Sequence, residues 1–282
     1  MTAGGTEGNM EGLFIAREIY PDGVLYISED AHYSLQKIAN ILRMRYIIIR
    51  SLENGEINYD ELEHNIQGNK HKPVILSLTC GTTVRGAYDN LEKVKEVLER
   101  NQITKKYIHV DAALSGMIVP FISRAPQYTF DKGIDSVAIS MHKFLGCPLM
   151  SGIVITKKEY ADRISTKVEY INSHDTTILG SRNGQVPLYV YAAIQKYCTD
   201  RFALDAKRCI SRAKYLYSKL KKINIAAKLN KFSTTVYFPT PNRKIVDKWQ
   251  LSVYGNIAHV VVMQHVTRDM IDRFVKDLER NR

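Results

Sequence analysis

Two polar segments that directly follow apolar runs contain residue types capable of chemistry. The first, Ser140-Met-His-Lys143, comes after the run Ser136–Ile139. At the carboxyl edge of a parallel sheet, such side chains project into the crevice where ligands bind. A lysine amine there becomes a nucleophile when desolvation or a nearby cation, here His142, lowers its pKa. Lys143 is therefore a candidate catalytic residue, and a surface lysine on a loop is the alternative interpretation.

The second segment is His109-Val-Asp-Ala-Ala113, in which Asp111 ends the apolar run Tyr107–Val110. We expect its carboxylate to face the same crevice as Lys143, where a carboxylate beside small residues could hold a cationic ring nitrogen. Asp111 and His109 together supply only two metal ligands, and the sequence offers no third, so we expect no metal site. A helix N-cap is an equally good interpretation of Asp111.

Three further segments add small or polar residues at strand ends. His32 follows the run Val24–Ile27, and Thr79-Cys-Gly-Thr-Thr83 follows another apolar run. The stretch Gly4–Asn9 is typical of a glycine-rich turn, whose backbone amides could bind an anion. Taken singly, each has an ordinary structural explanation, such as a histidine in the core or a plain turn.

Taken together, these segments supply the groups that one cofactor needs. Pyridoxal phosphate requires a lysine for its Schiff base, an acid for its pyridine nitrogen and donors for its phosphate. Lys143, Asp111 and the stretch Gly4–Asn9 are of those types. The sequence therefore predicts pyridoxal phosphate as the cofactor.

The elements that must position these residues alternate between short apolar runs and amphipathic stretches. This alternation predicts parallel strands with helical crossovers, an α/β sheet. Two capping boxes, Asn58–Glu61 and Asp89–Glu92, predict helix starts with Asn58 and Asp89 as the N-caps. The predicted strands are Val24–Ile27, Tyr46–Ile49, Pro73–Leu78, Tyr107–Val110, Ser136–Ile139 and Gly152–Ile155.

The pattern changes after about Pro187. The predicted elements beyond it are helices at 186–199 and 203–222, strands at Thr234–Phe238 and His259–Met263, and a final helix from Thr267. We therefore predict a large domain over residues 1–190 and a smaller C-terminal α+β domain over residues 191–282.

Composition argues against several classes of protein. The net charge of +11 comes from 40 Lys and Arg against 29 Asp and Glu. These basic residues are scattered beside acids, so we favour a solvated basic surface over nucleic-acid binding. No apolar run approaches the roughly 18 residues of a membrane helix, and the N-terminus lacks a signal-peptide pattern. The 4 cysteines are widely spaced, as in proteins of the reducing cytoplasm.

Seven short segments form a specific combination: Gly4-Gly-Thr-Glu-Gly-Asn9, Tyr20-Pro-Asp-Gly23, Ala31-His-Tyr-Ser34, Gly81-Thr-Thr-Val-Arg-Gly86, His109-Val-Asp-Ala-Ala113, His142-Lys143 and Gly180-Ser-Arg-Asn-Gly184. Together they resemble the group II pyridoxal-phosphate decarboxylases. Within that family the similarity is to the histidine decarboxylase branch, which also contains the plant-type serine decarboxylases. It extends from about residue 3 through Ala258–Met263 almost to the C-terminus.

The resemblance implies a homodimer with a fold like that of aspartate aminotransferase, the fold type I of pyridoxal-phosphate enzymes, with a mainly parallel sheet. It implies that Lys143 forms the Schiff base and Asp111 pairs with the pyridinium nitrogen. His32 would stack on the ring and contact the substrate. The other implied cofactor contacts are Gly5, Thr6, Ser140 and His142 at the phosphate, Ala113 at the opposite ring face, and Thr82 nearby. The loop Val168–Gly184 is expected close to the site.

The implied reaction is decarboxylation of an L-amino acid. Histidine, giving histamine, is the leading substrate and serine, giving ethanolamine, is the alternative; Val168–Ser173 and Phe121–Pro126 look at least as much like the serine enzymes. Family members continue upstream of the Gly4-Gly-Thr segment, so we expect a truncated chain that is poorly soluble or weakly active alone. The rival interpretations are a non-catalytic remnant and another pyridoxal-phosphate enzyme, such as an aminotransferase.

Overall fold

A six-stranded sheet forms the centre of the larger part of the protein, whose computed structural model describes residues 1–281. Across the sheet the strands are Arg45–Ile49 (β2), Val24–Ser28 (β1), Val74–Thr79 (β3), Lys106–Asp111 (β4), Ser136–Ser140 (β5) and Gly152–Thr156 (β6). Strands β1 to β5 are parallel, so their carboxyl ends lie at one edge of the sheet. The register that pairs Thr79 with Asp111 places the ends of β3 and β4 side by side.

Burial on both faces explains the apolar runs in the sequence. Strands β1 and β3 are buried at every position. A parallel sheet whose two faces are covered by helices needs such runs, because neither face contacts water. The helices of this part are Gly5–Ile19 (α1), Ser34–Ile41 (α2), Tyr59–Gly68 (α3), Leu91–Arg100 (α4) and Lys158–Ala161 (α5). The predicted α/β sheet is confirmed.

The last strand departs from the parallel pattern. Strand β6 pairs antiparallel with β5, and Ser140 lies opposite Gly152. Residues 141–151, which connect the two strands, contain no helix. Because a parallel pair needs a long crossover, usually a helix, this short connection returns the chain in the opposite direction.

The Gly4–Asn9 segment is not a turn over its whole length. Helix α1 begins at Gly5 and runs to Ile19, so only Gly4 lies outside it, as the N-cap. The glycine content that predicted a turn reflects close packing instead. Residues Gly8, Asn9 and Gly12 are buried against the sheet.

One of the two predicted N-caps is wrong by a residue. Asn58 caps α3 as predicted, and its side chain accepts hydrogen bonds from the amides of Asp60 and Glu61. Helix α4, however, is capped by Asn90 and not by Asp89. Asp89 is fully buried, and its two carboxylate oxygens accept from the Ile57 amide at 2.8 Å and the Thr79 amide at 2.7 Å. Burial raises the pKa of Asp89 to about 7.

A smaller sheet and three helices form most of the rest of the chain. These elements are Gln185–Lys222 (α6), Arg243–Trp249 (α7), Arg268–Arg280 (α8), and the strands Thr166–Val168 (β7), Ser173–Asp175 (β8), Lys228–Leu229 (β9), Thr235–Pro239 (β10), Ser252–Tyr254 (β11) and Ile257–Val261 (β12). Strands β9 to β12 form an antiparallel sheet in the order β11-β12-β10-β9. Leu216, Phe238 and Phe274 lie in the core between this sheet and helices α6 and α8. The expected α+β C-terminal part is confirmed.

Helix α6 connects the two parts. It is interrupted at Cys198, where φ is 45° and ψ is −178°, close to the predicted gap between two helices. The predicted domain boundary at residue 190 falls inside α6 and stays a prediction. Within residues 1–281, no helix has the length and apolar character needed to cross a membrane.

The positions of Asp89 and Asn90 predict different costs of substitution. Asn90→Ala should lower the free energy of unfolding by about 1 kcal/mol, the usual cost of removing an N-cap, and Asn58→Ala is the matched control. Asp89→Ala should cost more, because it leaves two buried amides without acceptors at about 1–3 kcal/mol each. Urea unfolding of the three variants measures the difference. A larger cost for Asn90→Ala than for Asp89→Ala would contradict the observed capping.

Candidate active site

A cavity of about 680 Å³ lies at the carboxyl ends of β3, β4 and β5, between the start of α1 and strand β12. The sequence-predicted residues that line it are Gly5, Thr6, His32, Asp111, Ala113, Ser140, His142 and Lys143. Thr82 does not line it, although Gly81 and Thr83 do. The buried Thr82 hydroxyl instead accepts a hydrogen bond from the Ala87 amide at 2.9 Å.

Lys143 lies on the loop that follows β5 and is exposed to the open cavity. The protein atoms around its amine remove enough water to lower its pKa, and the carboxylate of Asp111 opposes this shift. Desolvation disfavours a charged amine, so a larger fraction of Lys143 is unprotonated than for a lysine in water.

Asp111 ends β4, and hydrogen bonds hold both oxygens of its carboxylate. Oδ2 accepts from the side-chain amide of Asn9 at 2.8 Å, and Oδ1 accepts from the backbone amide of Ala113 at 3.0 Å. The side chain is 5% exposed and lines the cavity. Its carboxylate therefore has a fixed orientation at the cavity floor.

His32 lies between β1 and α2. Its Nδ1 is 2.7 Å from the Ser34 hydroxyl and accepts a hydrogen bond from the Ser34 amide at 3.3 Å. Desolvation lowers the pKa of His32, although the carboxylate of Asp111 opposes the shift. Since Nδ1 is an acceptor, the neutral ring carries its proton on Nε2.

The part of the cavity at the start of α1 suits an anion such as phosphate. Helix geometry leaves the first amides of α1, those of Gly5, Thr6 and Glu7, without intrahelical acceptors. The Ser140 hydroxyl is buried and has no hydrogen-bond partner among residues 1–281. A Cβ on Gly5 would lie only 2.8 Å from this hydroxyl, so a side chain there would fill the space. Free donors around a small gap are what a phosphate group needs.

His142 is held beside this anion site. Its Nδ1 donates to the Ser151 carbonyl oxygen at 2.8 Å, which orients the ring. His142 and Lys143 are neighbours in sequence and both line the cavity. The predicted phosphate and lysine positions are therefore adjacent.

The segment Val168–Gly184 reaches the cavity through Leu179, as expected. The amide of Ile178 donates to the carboxylate of Glu11 at 3.0 Å. Glu11 is 3% exposed, and burial raises its pKa. This hydrogen bond ties the segment to helix α1.

Two cavity residues had no predicted role. Asn9 lies in the Gly4–Asn9 segment, in which only Gly5 and Thr6 have a predicted role. Its buried side-chain amide donates to Asp111. His259 is 9% exposed, lines the cavity from β12, and its Nδ1 has no partner in the described part of the chain. The signal for His259 was a polar residue inside the apolar run Ala258–Met263.

His109 does not line the cavity, although Asp111 does. Its ring contacts Ser136 and Asn9, and it does not share a ligand position with Asp111. Across residues 1–281, the structure contains no group of three or more His, Cys, Asp or Glu side chains arranged to hold a metal ion.

The family model for the pyridoxal-dependent decarboxylase conserved domain matches residues 11–233. Serine decarboxylase 2 of Oryza sativa subsp. japonica is 43% identical over 284 residues, which are 100% of this chain and 61% of that protein. Histidine decarboxylase of Solanum lycopersicum is 44% identical over 286 residues, which are 100% of this chain and 69% of that protein.

Solved structures show the same fold. The L-methionine decarboxylase of Streptomyces sp. 590, in complex with L-methionine methyl ester, superposes with a TM-score of 0.90 at 24% identity, over 100% of this chain and 77% of that one. The fold is therefore the fold type I arrangement that the resemblance implied.

The fold and the family model define an α/β protein of the class that uses pyridoxal phosphate as its cofactor. The chain belongs to the pyridoxal-dependent decarboxylase family. It spans 61% and 58% of the length of two rice serine decarboxylases that it matches.

The buried His109 predicts a loss of stability in acid. Burial lowers its pKa to about 4, so the folded protein keeps the ring neutral while the unfolded chain protonates near pH 6.5. Stability from this residue is therefore present above pH 6.5 and is lost as the pH falls towards 4. The loss is on the order of 3 kcal/mol, at 1.36 kcal/mol per pKa unit.

Urea unfolding between pH 4.5 and pH 7.5 measures this effect, with His109→Gln as the variant. The free energy of unfolding of His109→Gln should fall less steeply with acid than that of the wild type. His64→Gln removes an exposed histidine on α3 and serves as the control. Parallel pH profiles for wild type and His109→Gln would show that His109 does not contribute.

Proposed function

We propose that this chain removes the carboxylate of an L-amino acid as CO₂, with pyridoxal phosphate held on Lys143. The observation that carries the proposal is the cavity that brings Lys143, Asp111 and His32 together beside the first amides of α1. Membership of the decarboxylase family supports the same reaction. When bound, pyridoxal phosphate accepts the electron pair that the departing CO₂ leaves on Cα. A proton then takes the place of the carboxylate on Cα, and the product is an amine.

Lys143 supplies the amine that holds the cofactor. Only the unprotonated amine is nucleophilic, and desolvation lowers the pKa of Lys143 towards that form. The amine can also take up and return a proton at Nζ. We assign Gly5, Thr6, Ser140 and His142 to the phosphate, because the free first amides of α1, the unpaired Ser140 hydroxyl and the oriented ring of His142 all line the cavity.

Asp111 and His32 act at the ring end of the cavity. The fixed carboxylate of Asp111 can accept a charge-assisted hydrogen bond from a protonated ring nitrogen. His32, with its proton on Nε2, can lie against one face of the ring and donate to the substrate. Ala113 offers a small apolar surface for the opposite face. Thr82, which does not line the cavity, has no direct role in this proposal.

Histidine is the substrate that we propose first, and serine is the alternative. Histidine decarboxylases of Solanum lycopersicum and Morganella morganii are 44% and 42% identical to this chain. Rice serine decarboxylase 2 is 43% identical, which is why serine stays the alternative. A cavity of about 680 Å³ leaves room for an imidazole side chain beside the cofactor. His259, with an unpaired ring nitrogen, adds a polar group to the same wall.

We also place the chain in the cytoplasm. Its four cysteines, Cys80, Cys147, Cys198 and Cys209, all lie in the described part of the chain and are free. Unpaired thiols are typical of a reducing compartment.

An exposed apolar patch on the first half of α6 supports association of two copies. Leu188, Tyr191 and Ile194 expose 68%, 64% and 47% of their surface. Three large apolar side chains this exposed on one helix favour a protein interface over contact with water. We therefore infer a homodimer that buries this patch.

The attachment of the cofactor tests the proposal. Borohydride reduction of the chain with pyridoxal phosphate should fix the cofactor on the peptide that contains Lys143, as measured by mass spectrometry. Lys143→Ala should lose both the label and CO₂ release. Lys158→Ala, which removes an exposed lysine, should keep both. Label on a different lysine of the wild type would refute the assignment.

Release of CO₂ from a panel of L-amino acids then identifies the substrate. Histidine should give the highest kcat/KM. A higher value for serine would assign the chain to ethanolamine formation instead. Labelled Lys143 without CO₂ from any amino acid would support the non-catalytic alternative.

The dimer makes a separate prediction. Leu188→Glu combined with Tyr191→Glu should shift the protein from dimer to monomer in analytical ultracentrifugation, because two charges would be buried without partners. Tyr254→Glu, at an exposed position outside the patch, is the control and should stay dimeric. A wild-type monomer would contradict the inferred interface.

A further inference from the structure

Four buried polar side chains from three elements form a continuous chain of hydrogen bonds. The Ser136 hydroxyl lies 2.7 Å from Nδ1 of His109, and Nε2 of His109 lies 3.0 Å from Oδ1 of Asn9. The amide nitrogen of Asn9 lies 2.8 Å from Oδ2 of Asp111. Ser136 and His109 are completely buried, and Asn9 is 1% exposed. These hydrogen bonds therefore connect the interior of the sheet to the cavity without contact with bulk water.

The carboxylate of Asp111, at the cavity end of this series, determines which group donates and which accepts in each hydrogen bond. An ionised carboxylate only accepts hydrogen bonds, so Asn9 must present its NH₂ group to Asp111. The Asn9 oxygen then faces His109 and requires a proton on Nε2. A neutral imidazole carries one proton, so Nδ1 must accept from the Ser136 hydroxyl. Burial keeps this ring neutral, because it lowers the pKa of His109 to about 4.

The packing of α1 is built around this chain. A Cβ on Gly12 would overlap the imidazole of His109 and lie 3.0 Å from Oγ of Ser136. The missing side chain therefore lets the helix backbone approach the ring closely. Because the same helix carries Gly5 and Thr6 at its start, the contact also sets where the anion site lies relative to Asp111.

We propose that Asn9 and His109 are positioning residues that hold the carboxylate of Asp111 correctly oriented for the ring nitrogen of the cofactor. This inference rests on the proposed function for the identity of that ring. A continuous series of hydrogen bonds fixes the direction of the carboxylate at its end. His109 does not line the cavity and Asn9 does, but both act on the ring nitrogen through Asp111.

The first test is the protonation state of His109 in the cofactor-free protein. Two-bond ¹H–¹⁵N NMR at pH 7 on protein labelled at histidine should show a neutral ring with its proton on Nε2. The signal is assigned by its loss in His109→Gln. A proton on Nδ1, or a doubly protonated ring, overturns the proposal whatever the cofactor does.

The second test uses pyridoxal phosphate labelled with ¹⁵N in its ring. The ring nitrogen should be protonated in the wild type and in His109→Gln, whose amide can still donate to Asn9. In Asn9→Leu and His109→Phe its signal should move towards the neutral form, and the cofactor Kd should rise about 10- to 100-fold. Variants that lose stability but keep the wild-type signal of the cofactor ring nitrogen and the wild-type Kd would show that these hydrogen bonds are only structural.

The two tests separate this inference from the proposed function. If the proposed function is wrong, borohydride reduction fixes no cofactor on Lys143 of the wild-type protein, whatever the position of the His109 proton. If the positioning role is wrong, the protein does fix the cofactor on Lys143. The His109 proton then lies on Nδ1, or the signal of the cofactor ring nitrogen is unchanged in Asn9→Leu. If Asn9→Leu and His109→Phe do not fold, the position of the His109 proton in the wild type still decides, because a proton on Nδ1 overturns the proposal.

Discussion

The close contact between helix α1 and strands β4 and β5 is the constraint on which the site depends. The helix begins with the amides that we propose for the phosphate, and one turn later its Asn9 contacts Asp111. A rigid cofactor needs a fixed separation between the group that holds its phosphate and the group that meets its ring. Because both groups are tied to the same buried helix, that separation does not depend on a flexible loop. Gly8 and Gly12 of α1 let the helix approach the sheet closely enough for these contacts.

The protonation of the groups around the cavity depends on this packing. Protein atoms around the cavity displace part of the water from Lys143 and His32, so desolvation lowers the pKa of both, while the carboxylate of Asp111 opposes both shifts. The neutral His109 behind Asp111 leaves that carboxylate without a competing cation in its hydrogen-bond chain. A carboxylate held by two donors and facing a cavity is thus available to a cationic ligand group.

Part of the cavity wall comes from residues outside the large sheet and α1. His259 and Val261 come from the smaller sheet, and Leu179 comes from the segment that Glu11 ties to α1. The groups proposed for the cofactor therefore lie on the large sheet and α1, whereas part of the surface left for the substrate comes from elements distant in the chain.

The sequence by itself determined the strand ends and the polar residues that follow them, because apolar runs and N-caps are local signals. It predicted Lys143, Asp111 and His32 in one crevice, since parallel strands bring their carboxyl ends together, and the cavity contains all three. Tertiary structure alone decided the antiparallel β6, the helical start of α1 and the burial of Asp89, each of which depends on contacts between residues far apart in the chain. It also decided that Thr82 turns away and that Asn9 and His259 turn inward. Side-chain direction at those positions is set by packing between elements, which no local pattern records.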